Sequence, residues 1–285
     1  MIKRVGVVGG GQMGGGIAEV CAKAAIDVIV HEASADLATA AQGRIETSLA
    51  KAVDRGKLTA EDRDATVARI SYGTDLKLMA DRDLVVEAVI ENEELKKQIF
   101  AQLDEIVEVP DAILASNTSS IPITRISQAT SRPESVVGLH FFNPATVMPL
   151  VEVVRSVVSS DEVVARAATF ATEQLGKVVV HAKDRAGFVV NKLLVPYIID
   201  AIVMYEEGFA SKEDIDAGMV NGAAHPMGPL TLSDLIGNDT MLFVAESLFE
   251  EFREARYAPP PLLKRMVEAG LLGRKTGQGF YDYPG

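Results

Sequence analysis

One histidine and one glutamate form the pair of side chains in this sequence best suited to carry a proton. His140 ends an apolar segment in a polar turn that contains Asn143, and Glu152 lies on the next predicted strand. A carboxylate beside an imidazole fixes the tautomer of the ring and stabilises its cationic form. A histidine at a strand end is by itself more often structural, but Glu152 and Asn143 favour a general acid–base pair.

A run of hydroxyl side chains follows an earlier predicted strand. The run is Ser116-Asn117-Thr118-Ser119-Ser120. In an α/β protein such hydroxyls can simply cap the following helix, and for Thr118 and Ser120 that interpretation is as good as a functional one. Ser119 is the better candidate for a functional role.

A glycine-rich loop that directly follows the first apolar strand must position this chemistry. Gly9, Gly11 and Gly14 form a Gly-x-Gly-x-x-Gly motif. The first glycine allows a tight turn, the second lets the backbone approach a pyrophosphate, and the third lets the next helix pack on the sheet. The N–H groups at the start of that helix would bind the pyrophosphate. The loop, with Gln12 and Met13 inside it, therefore predicts a dinucleotide cofactor.

The residue after the second predicted strand indicates which dinucleotide is bound. Glu32 stands where a carboxylate would accept hydrogen bonds from the adenosine ribose, and it would repel a 2′-phosphate. The sequence therefore predicts NAD rather than NADP. A partly cationic His31 next to this carboxylate would weaken the preference.

Strands and helices alternate over the first two-thirds of the chain. An apolar stripe with four-residue spacing predicts one long helix through Leu37, Ala41, Ile45, Leu49 and Val53. Thr59 can cap the next helix. Further strands are predicted at 5–8, 28–30, 81–88, 112–116, 136–141, 150–154 and 177–181, and further helices at 13–24, 93–107 and 160–175. This order predicts a Rossmann-type α/β domain with a mostly parallel sheet over residues 1–184.

The pattern changes near residue 184, and from Gly187 onward only helical periodicity is found. Residues 185–285 are therefore predicted to form an all-helical domain. Its first helix, from Gly187 to about Glu207, is apolar on nearly all sides and must be covered on several faces. Its own domain or a second copy of the chain could cover it, and we expect a homodimer through the helical domain.

The composition limits the partners of the protein. The formal net charge of −12 argues against nucleic acid or an anionic membrane as the main partner. No apolar run approaches the roughly 18 residues of a membrane span, and polar residues interrupt any signal-peptide pattern, so a cytoplasmic protein is expected. Cys21 is the only cysteine, which excludes an internal disulfide, and no metal-ligand spacing is present.

Several segments, taken together and in order, resemble those of the 3-hydroxyacyl-CoA dehydrogenases, most closely the short bacterial 3-hydroxybutyryl-CoA dehydrogenases. They are the segments at 9–14 and 116–120, His140-Phe141-Phe142-Asn143-Pro144, Gly187-Phe188-Val189-Val190-Asn191 and Gly273-Arg274-Lys275-Thr276-Gly277-Gln278-Gly279-Phe280-Tyr281. The likeness runs from end to end. It implies NAD-dependent oxidation of a 3-hydroxyacyl-CoA, with 3-hydroxybutyryl-CoA as the expected substrate, and the reverse reduction of acetoacetyl-CoA.

The resemblance also implies catalytic roles. His140 would be the base and Glu152 its orienting partner. Ser119 and Asn191 would bind the reacting oxygen and neighbouring substrate atoms.

Cofactor and substrate positions follow from the same resemblance. The residues implied near the nicotinamide half of NAD are Glu91, Lys96, Ser119, Asn143 and Lys275. Ser48, on the long helix, matches a family position that contacts CoA. Arg55 and Lys57, at the end of that helix, are the basic candidates for binding this polyanionic group.

Three other functions remain open at this point. A related Rossmann dehydrogenase that acts on a free hydroxy acid or sugar acid would hold a substrate carboxylate with arginines. A β-hydroxyacid dehydrogenase would use a catalytic lysine on the interdomain helix, where Asn191 stands with Lys192 beside it. A nucleotide-binding protein without activity would not need His140 and Glu152.

Overall fold

The computed structural model describes residues 1–284 of the chain. It divides into two compact units, one ending at Asp184 and the next beginning at Arg185. Within the described residues no helix combines the length and the apolar character that crossing a membrane would require.

The first unit is built on one eight-stranded sheet. The strands are β1 (Arg4–Val8), β2 (Asp27–His31), β3 (Ile70–Gly73), β4 (Leu84–Glu87), β5 (Ile113–Ser116), β6 (Val136–Phe141), β7 (Leu150–Arg155) and β8 (Val178–Lys183). They lie in the order β3-β2-β1-β4-β5-β6-β7-β8. All neighbouring strands are parallel except β6 and β7. The predicted Rossmann-type, mostly parallel sheet is therefore confirmed.

Helices connect the strands of this sheet. They are α1 (Gln12–Lys23), α2 (Ala35–Asp54), α3 (Ala60–Val67), α4 (Glu93–Ile106), α5 (Ile123–Ser127) and α6 (Asp161–Thr169). Four of them begin at side chains that accept a hydrogen bond from the first turn, namely Ser34, Thr59, Asn92 and Ser160. The predicted helix at 160–175 is in fact α6 followed by a π-helical turn, Phe170–Gln174.

The long helix α2 buries a slightly different stripe from the one predicted. Leu37 is 46% exposed, and Ala38 packs inward in its place. A spacing of four drifts around a helix of 3.6 residues per turn, so the first position of the stripe has rotated out of the core.

The strand period places the candidate acid–base pair on one face of the sheet. Leu139 and Phe141 of β6, together with Val151 and Val153 of β7, belong to the hydrophobic core. Because successive side chains of a strand point to opposite faces, His140 and Glu152 lie on the other face. Their strands pair in antiparallel register with His140 directly opposite Glu152.

The second unit is helical, as predicted. Its helices are α7 (Val190–Glu206), α8 (Lys212–Gly222), α9 (Pro229–Ile236), α10 (Asn238–Phe252) and α11 (Pro261–Glu268). They enclose a separate core in which Ile198, Ile202 and Leu248 are fully buried. Strand-like pairing within residues 185–284 is limited to isolated bridges at Gln278.

Candidate active site

The glycine loop between β1 and α1 has the geometry that a dinucleotide requires. Gly9 adopts φ +94°, which other residues rarely do. A Cβ on Gly14 would lie 1.7 Å from the carbonyl oxygen of Gly9, whereas a Cβ on Gly11 would meet nothing within 4 Å. The open space at Gly11 adjoins the N-terminus of α1, where N–H groups favour an anion. The loop therefore fits the pyrophosphate of NAD.

This difference between the glycines gives a testable prediction. Gly11→Ala should leave the thermal midpoint almost unchanged, because φ at Gly11 is −62° and its surroundings are open. It should weaken NADH binding by about tenfold or more, since a methyl group would stand where the pyrophosphate approaches.

Gly14→Ala serves as the comparison variant and should lower the thermal midpoint, because overpacking costs about 1–3 kcal/mol. Calorimetry and NADH fluorescence titration measure both effects. Unchanged NADH affinity in folded Gly11→Ala would contradict the assignment of the loop.

Glu32 supports the loop as well as facing the expected ribose site. Its Oε1 accepts a hydrogen bond of 2.7 Å from the N–H of Gly10, and Arg44 donates to the carbonyl oxygen of Gly10 at 3.0 Å. Burial lowers the pKa of His31, which favours the neutral form of its imidazole. The cationic form that would attract a 2′-phosphate is therefore disfavoured beside Glu32.

The side chains of Gln12, in the glycine loop, and Asn143 are in contact. The amide nitrogen of Gln12 donates to Oδ1 of Asn143 at 3.0 Å. Asn143 lies two residues beyond the end of β6, so this contact joins the glycine loop to the turn after the strand that carries His140.

The side chains of His140 and Glu152 are in direct contact. Nδ1 of His140 lies 2.7 Å from Oε2 of Glu152. Glu152 is completely buried and His140 is 6% exposed. The contact commits Nδ1 to the carboxylate, so Nε2 is the ring atom suited to exchange a proton with a ligand. The ring of Phe142 lies 4.5 Å from the imidazole, measured between centroids.

The hydroxyl run is held by a carboxylate from a different loop. Oε1 of Glu91 accepts hydrogen bonds from the hydroxyls of Thr118 and Ser120 and, at 3.2 Å, from the N–H of Ser119. Thr118 also accepts from the N–H groups of Ser120 and Ile121. Thr118 and Ser120 therefore have structural roles, and Ser119 carries the half-buried hydroxyl of the run.

A buried lysine lies beneath this segment. Nζ of Lys96 is 2.7 Å from Oε1 of Glu87 and 3.2 Å from Oε2 of Glu91. Burial raises the pKa of Glu91, but the ammonium of Lys96 and the Thr118 and Ser120 hydroxyls outweigh burial and hold that pKa below its usual range. Lys96 is thus placed to orient Glu91, and sequence reasoning gave no role to Glu87.

The loops after β5 and β6 are tied together by an asparagine that the sequence analysis did not single out. Oδ1 of Asn117 accepts a hydrogen bond of 2.9 Å from the N–H of Phe141. Because β5 and β6 pair in parallel, with Ser116 opposite Gly138, their carboxyl ends lie side by side. The structure therefore brings the Ser119 segment and His140 to the same edge of the sheet.

A cleft between α1, α2 and the turn after β6 contains one of the predicted CoA residues. It has a volume of about 190 Å³ and is lined by residues that include Gln12, Ser48 and Arg44. A shallower depression beside it adds Lys51. Arg55 and Lys57 are exposed beyond the end of α2 and line neither cavity. The spacing of Arg44, Ser48 and Lys51 on one helix face could have indicated these two basic residues.

The remaining candidates belong to the second unit. Asn191 is half-buried in the first turn of α7. Nζ of Lys192 lies 4.0 Å from the ring centroid of Phe252, so this ammonium is held in a cation–π contact within its own unit. Lys275 pairs with Asp239. The contact of Lys192 disfavours the β-hydroxyacid dehydrogenase alternative, which needs a lysine directed at substrate.

Known proteins match both units. The family described as 3-hydroxyacyl-CoA dehydrogenase, NAD binding domain, matches residues 4–185. The family described as 3-hydroxyacyl-CoA dehydrogenase, C-terminal domain, matches residues 187–283.

Full-length relatives have the same architecture. A 3-hydroxybutyryl-CoA dehydrogenase of Mycobacterium tuberculosis is 56% identical over 282 residues, 99% of each chain. The crystal structure of M. tuberculosis FadB2 superposes with a TM-score of 0.98 at 56% identity, covering 99% of both chains. The (S)-3-hydroxybutyryl-CoA dehydrogenase PaaH1 of Ralstonia eutropha gives a TM-score of 0.94 at 44% identity and full coverage of both chains.

The two family matches follow one another along the chain and fall on the two units that carry the glycine loop and the helical bundle. The protein belongs to the 3-hydroxyacyl-CoA dehydrogenase family, with NAD as its cofactor.

Proposed function

We propose that this protein oxidises 3-hydroxybutyryl-CoA to acetoacetyl-CoA with NAD, and catalyses the reverse reduction. The observation that carries the proposal is the buried pair of His140 and Glu152, whose Nδ1 and Oε2 atoms are 2.7 Å apart. The pair lies at the same edge of the sheet as the segment that bears Ser119. Relatives with this name cover the whole chain at up to 56% identity.

The chain's own residues supply proton transfer and orientation. Nε2 of His140 removes the proton of the C3 hydroxyl, and Glu152 stabilises the imidazolium that forms. NAD, held by the glycine loop and Glu32, would supply the acceptor for the hydride that leaves C3. Ser119 and Asn191 orient the reacting oxygen and the neighbouring substrate atoms. In the reverse direction His140 returns the proton to the developing alkoxide.

The CoA portion of the substrate is polyanionic and requires donors and cations. Ser48 lines the cleft described above, and Arg44 and Lys51 flank it on the same helix. Arg55 and Lys57 remain candidates for the more distant phosphates. We propose that Glu91, Lys96 and Asn143 lie toward the nicotinamide half of NAD, and that Lys275 is a further cofactor residue.

A comparison of two substrates tests the proposed function. NADH oxidation followed at 340 nm should be rapid with acetoacetyl-CoA and at background level with free acetoacetate. Equal rates with the free acid would favour the hydroxy-acid alternative, and no reaction with either would favour a nucleotide-binding protein without activity.

Cofactor choice gives a separate prediction. Wild type should prefer NADH strongly over NADPH, because the Glu32 carboxylate repels a 2′-phosphate. Glu32→Gln should narrow the ratio of the two kcat/KM values by about tenfold or more, while the amide oxygen can still accept from Gly10. Glu61→Gln, which replaces an exposed carboxylate, is the matched control and should leave the ratio of the two kcat/KM values unchanged. A wild type that uses both cofactors equally would contradict the ribose assignment.

We also propose that the protein acts in the cytoplasm. We further propose that it forms a homodimer through the helical unit. Leu193 and Phe209 are 72% and 79% exposed in the single chain, on or just after α7. Light scattering should give the mass of a dimer for wild type and a shift toward monomer for Leu193→Glu. Leu37→Glu, at an exposed position of α2 in the first unit, is the control. Monomeric wild type at micromolar concentration would overturn the proposal.

A further inference from the structure

The sheet topology fixes where the second half of the cofactor must lie. Glu32 follows β2 and the glycine loop follows β1, which sets the adenosine and pyrophosphate positions of a Rossmann sheet. Strand β1 has β2 on one side and β4 on the other. A dinucleotide that crosses this switch point places its nicotinamide half over the carboxyl ends of β4 and β5, where Glu87 pairs in register with Ser116.

Glu87 is completely buried at this point and is fully engaged by hydrogen bonds. Oε1 accepts from Nζ of Lys96 and from the N–H of Val89, both at 2.7 Å. Oε2 accepts from the hydroxyl of Ser116 at 2.6 Å. The side chain therefore joins the end of β5, the loop after β4 and helix α4 into one unit.

The hydrogen bonds run from Glu87 to the functional surface along two routes. The first passes through Lys96 and Glu91 to the N–H of Ser119. The second passes through Ser116, whose hydroxyl accepts from the N–H of Thr118 at 3.2 Å. Both routes end in the segment that bears Ser119.

Charge makes the first route depend on Glu87. Lys96 is 1% exposed, and a buried ammonium needs close carboxylates to remain favourable. Without the charge of Glu87, Glu91 would be the only carboxylate within 4 Å of Nζ among the described residues. Glu91 would then move toward Lys96 and loosen its contacts with the Ser119 segment.

We propose that Glu87 is a positioning residue that holds Lys96 and Ser116 beneath the contact between Glu91 and the N–H of Ser119. In this way Glu87 orders the surface that receives the nicotinamide half of the cofactor. The proposal rests on NAD being the cofactor and extends it to a residue that touches neither cofactor nor substrate.

Two ligands separate this role from a general contribution to folding. NADH spans both halves of the site, whereas ADP keeps only the adenosine and diphosphate. Glu87→Gln preserves the shape and removes the charge, so it should weaken NADH binding about tenfold and leave ADP affinity unchanged. NADH fluorescence titration gives the first value, and displacement of NADH by ADP gives the second.

Asp104→Asn, on the helix α4 that also carries Lys96, is the matched control for loss of a paired carboxylate. Asp104 accepts from Ser131 and Arg132, away from the Glu87 contacts, and its substitution should change neither affinity. If Glu87→Gln does not fold, Ser116→Ala, which keeps every charge, should show a several-fold loss confined to NADH.

Equal losses for NADH and ADP, or no loss for either, in folded Glu87→Gln or Ser116→Ala would overturn the proposal. Neither ligand contains an acyl thioester, so that result would leave the proposed oxidation of 3-hydroxybutyryl-CoA untouched.

Discussion

Replacement of His140 by glutamine is expected to lower kcat by about 10²- to 10⁴-fold, the range that general acid–base catalysis contributes. An amide has no basic nitrogen, so the C3 hydroxyl would lose its proton acceptor. NADH affinity should stay within about twofold, because the glycine loop and Glu32 follow strands β1 and β2, whereas His140 lies on β6. Steady-state kinetics with acetoacetyl-CoA and fluorescence titration measure the two effects.

The control for this variant is His181→Gln, which replaces an exposed histidine on β8 of the same sheet. It should retain wild-type kcat. If folded His140→Gln kept activity within a few-fold of wild type, His140 would not be the proton carrier, and Lys192 would again become the principal rival.

The second large effect is expected for Glu152→Gln, which should lower kcat by roughly 10²-fold or more. The neutral amide cannot balance the imidazolium, and its NH₂ group can turn toward Nδ1 and impose the wrong tautomer. The loss should appear in kcat, with KM for acetoacetyl-CoA nearly constant, because Glu152 is buried behind the imidazole.

A carboxylate on the surface provides the comparison for this second variant. Glu105→Gln, at an exposed position of α4, should behave as wild type. A double variant, His140→Gln with Glu152→Gln, should be little slower than His140→Gln alone, since the two side chains act as one unit. Fully multiplicative losses would show that Glu152 acts independently of the histidine.

Most of the first unit, including its cofactor loop, could be predicted from local sequence patterns. The glycine spacing, the strand before it and Glu32 lie within the first 32 residues, so strand, turn and helix could be predicted from neighbouring positions. The antiparallel pairing of His140 with Glu152 was accessible for the same reason, because one turn connects β6 and β7. Edge strand β3 was missed, since only Ile70 of its residues is buried and no alternation marks it.

The network beneath Ser119 could not be predicted in this way. Glu87 ends strand β4 and Glu91 lies in the loop after it, and the structure shows that both bind the ammonium of Lys96. That contact depends on how helix α4 packs against the ends of β4 and β5, which no spacing along the chain reveals. Likewise, the basic residues beside Ser48 proved to be Arg44 and Lys51, because Arg55 lies beyond the C-terminal end of α2 and lines neither cavity.

Transfer of deuterium from C3 of the substrate tests the central claim most directly. With racemic 3-hydroxybutyryl-CoA deuterated at C3, the protein should convert NAD to NADH that carries the label at nicotinamide C4, together with acetoacetyl-CoA, as read by NMR. His140→Gln should give the same labelled products at a rate lower by about 10²- to 10⁴-fold. Unlabelled NADH, or no acetoacetyl-CoA from either enantiomer of the substrate, would contradict the account.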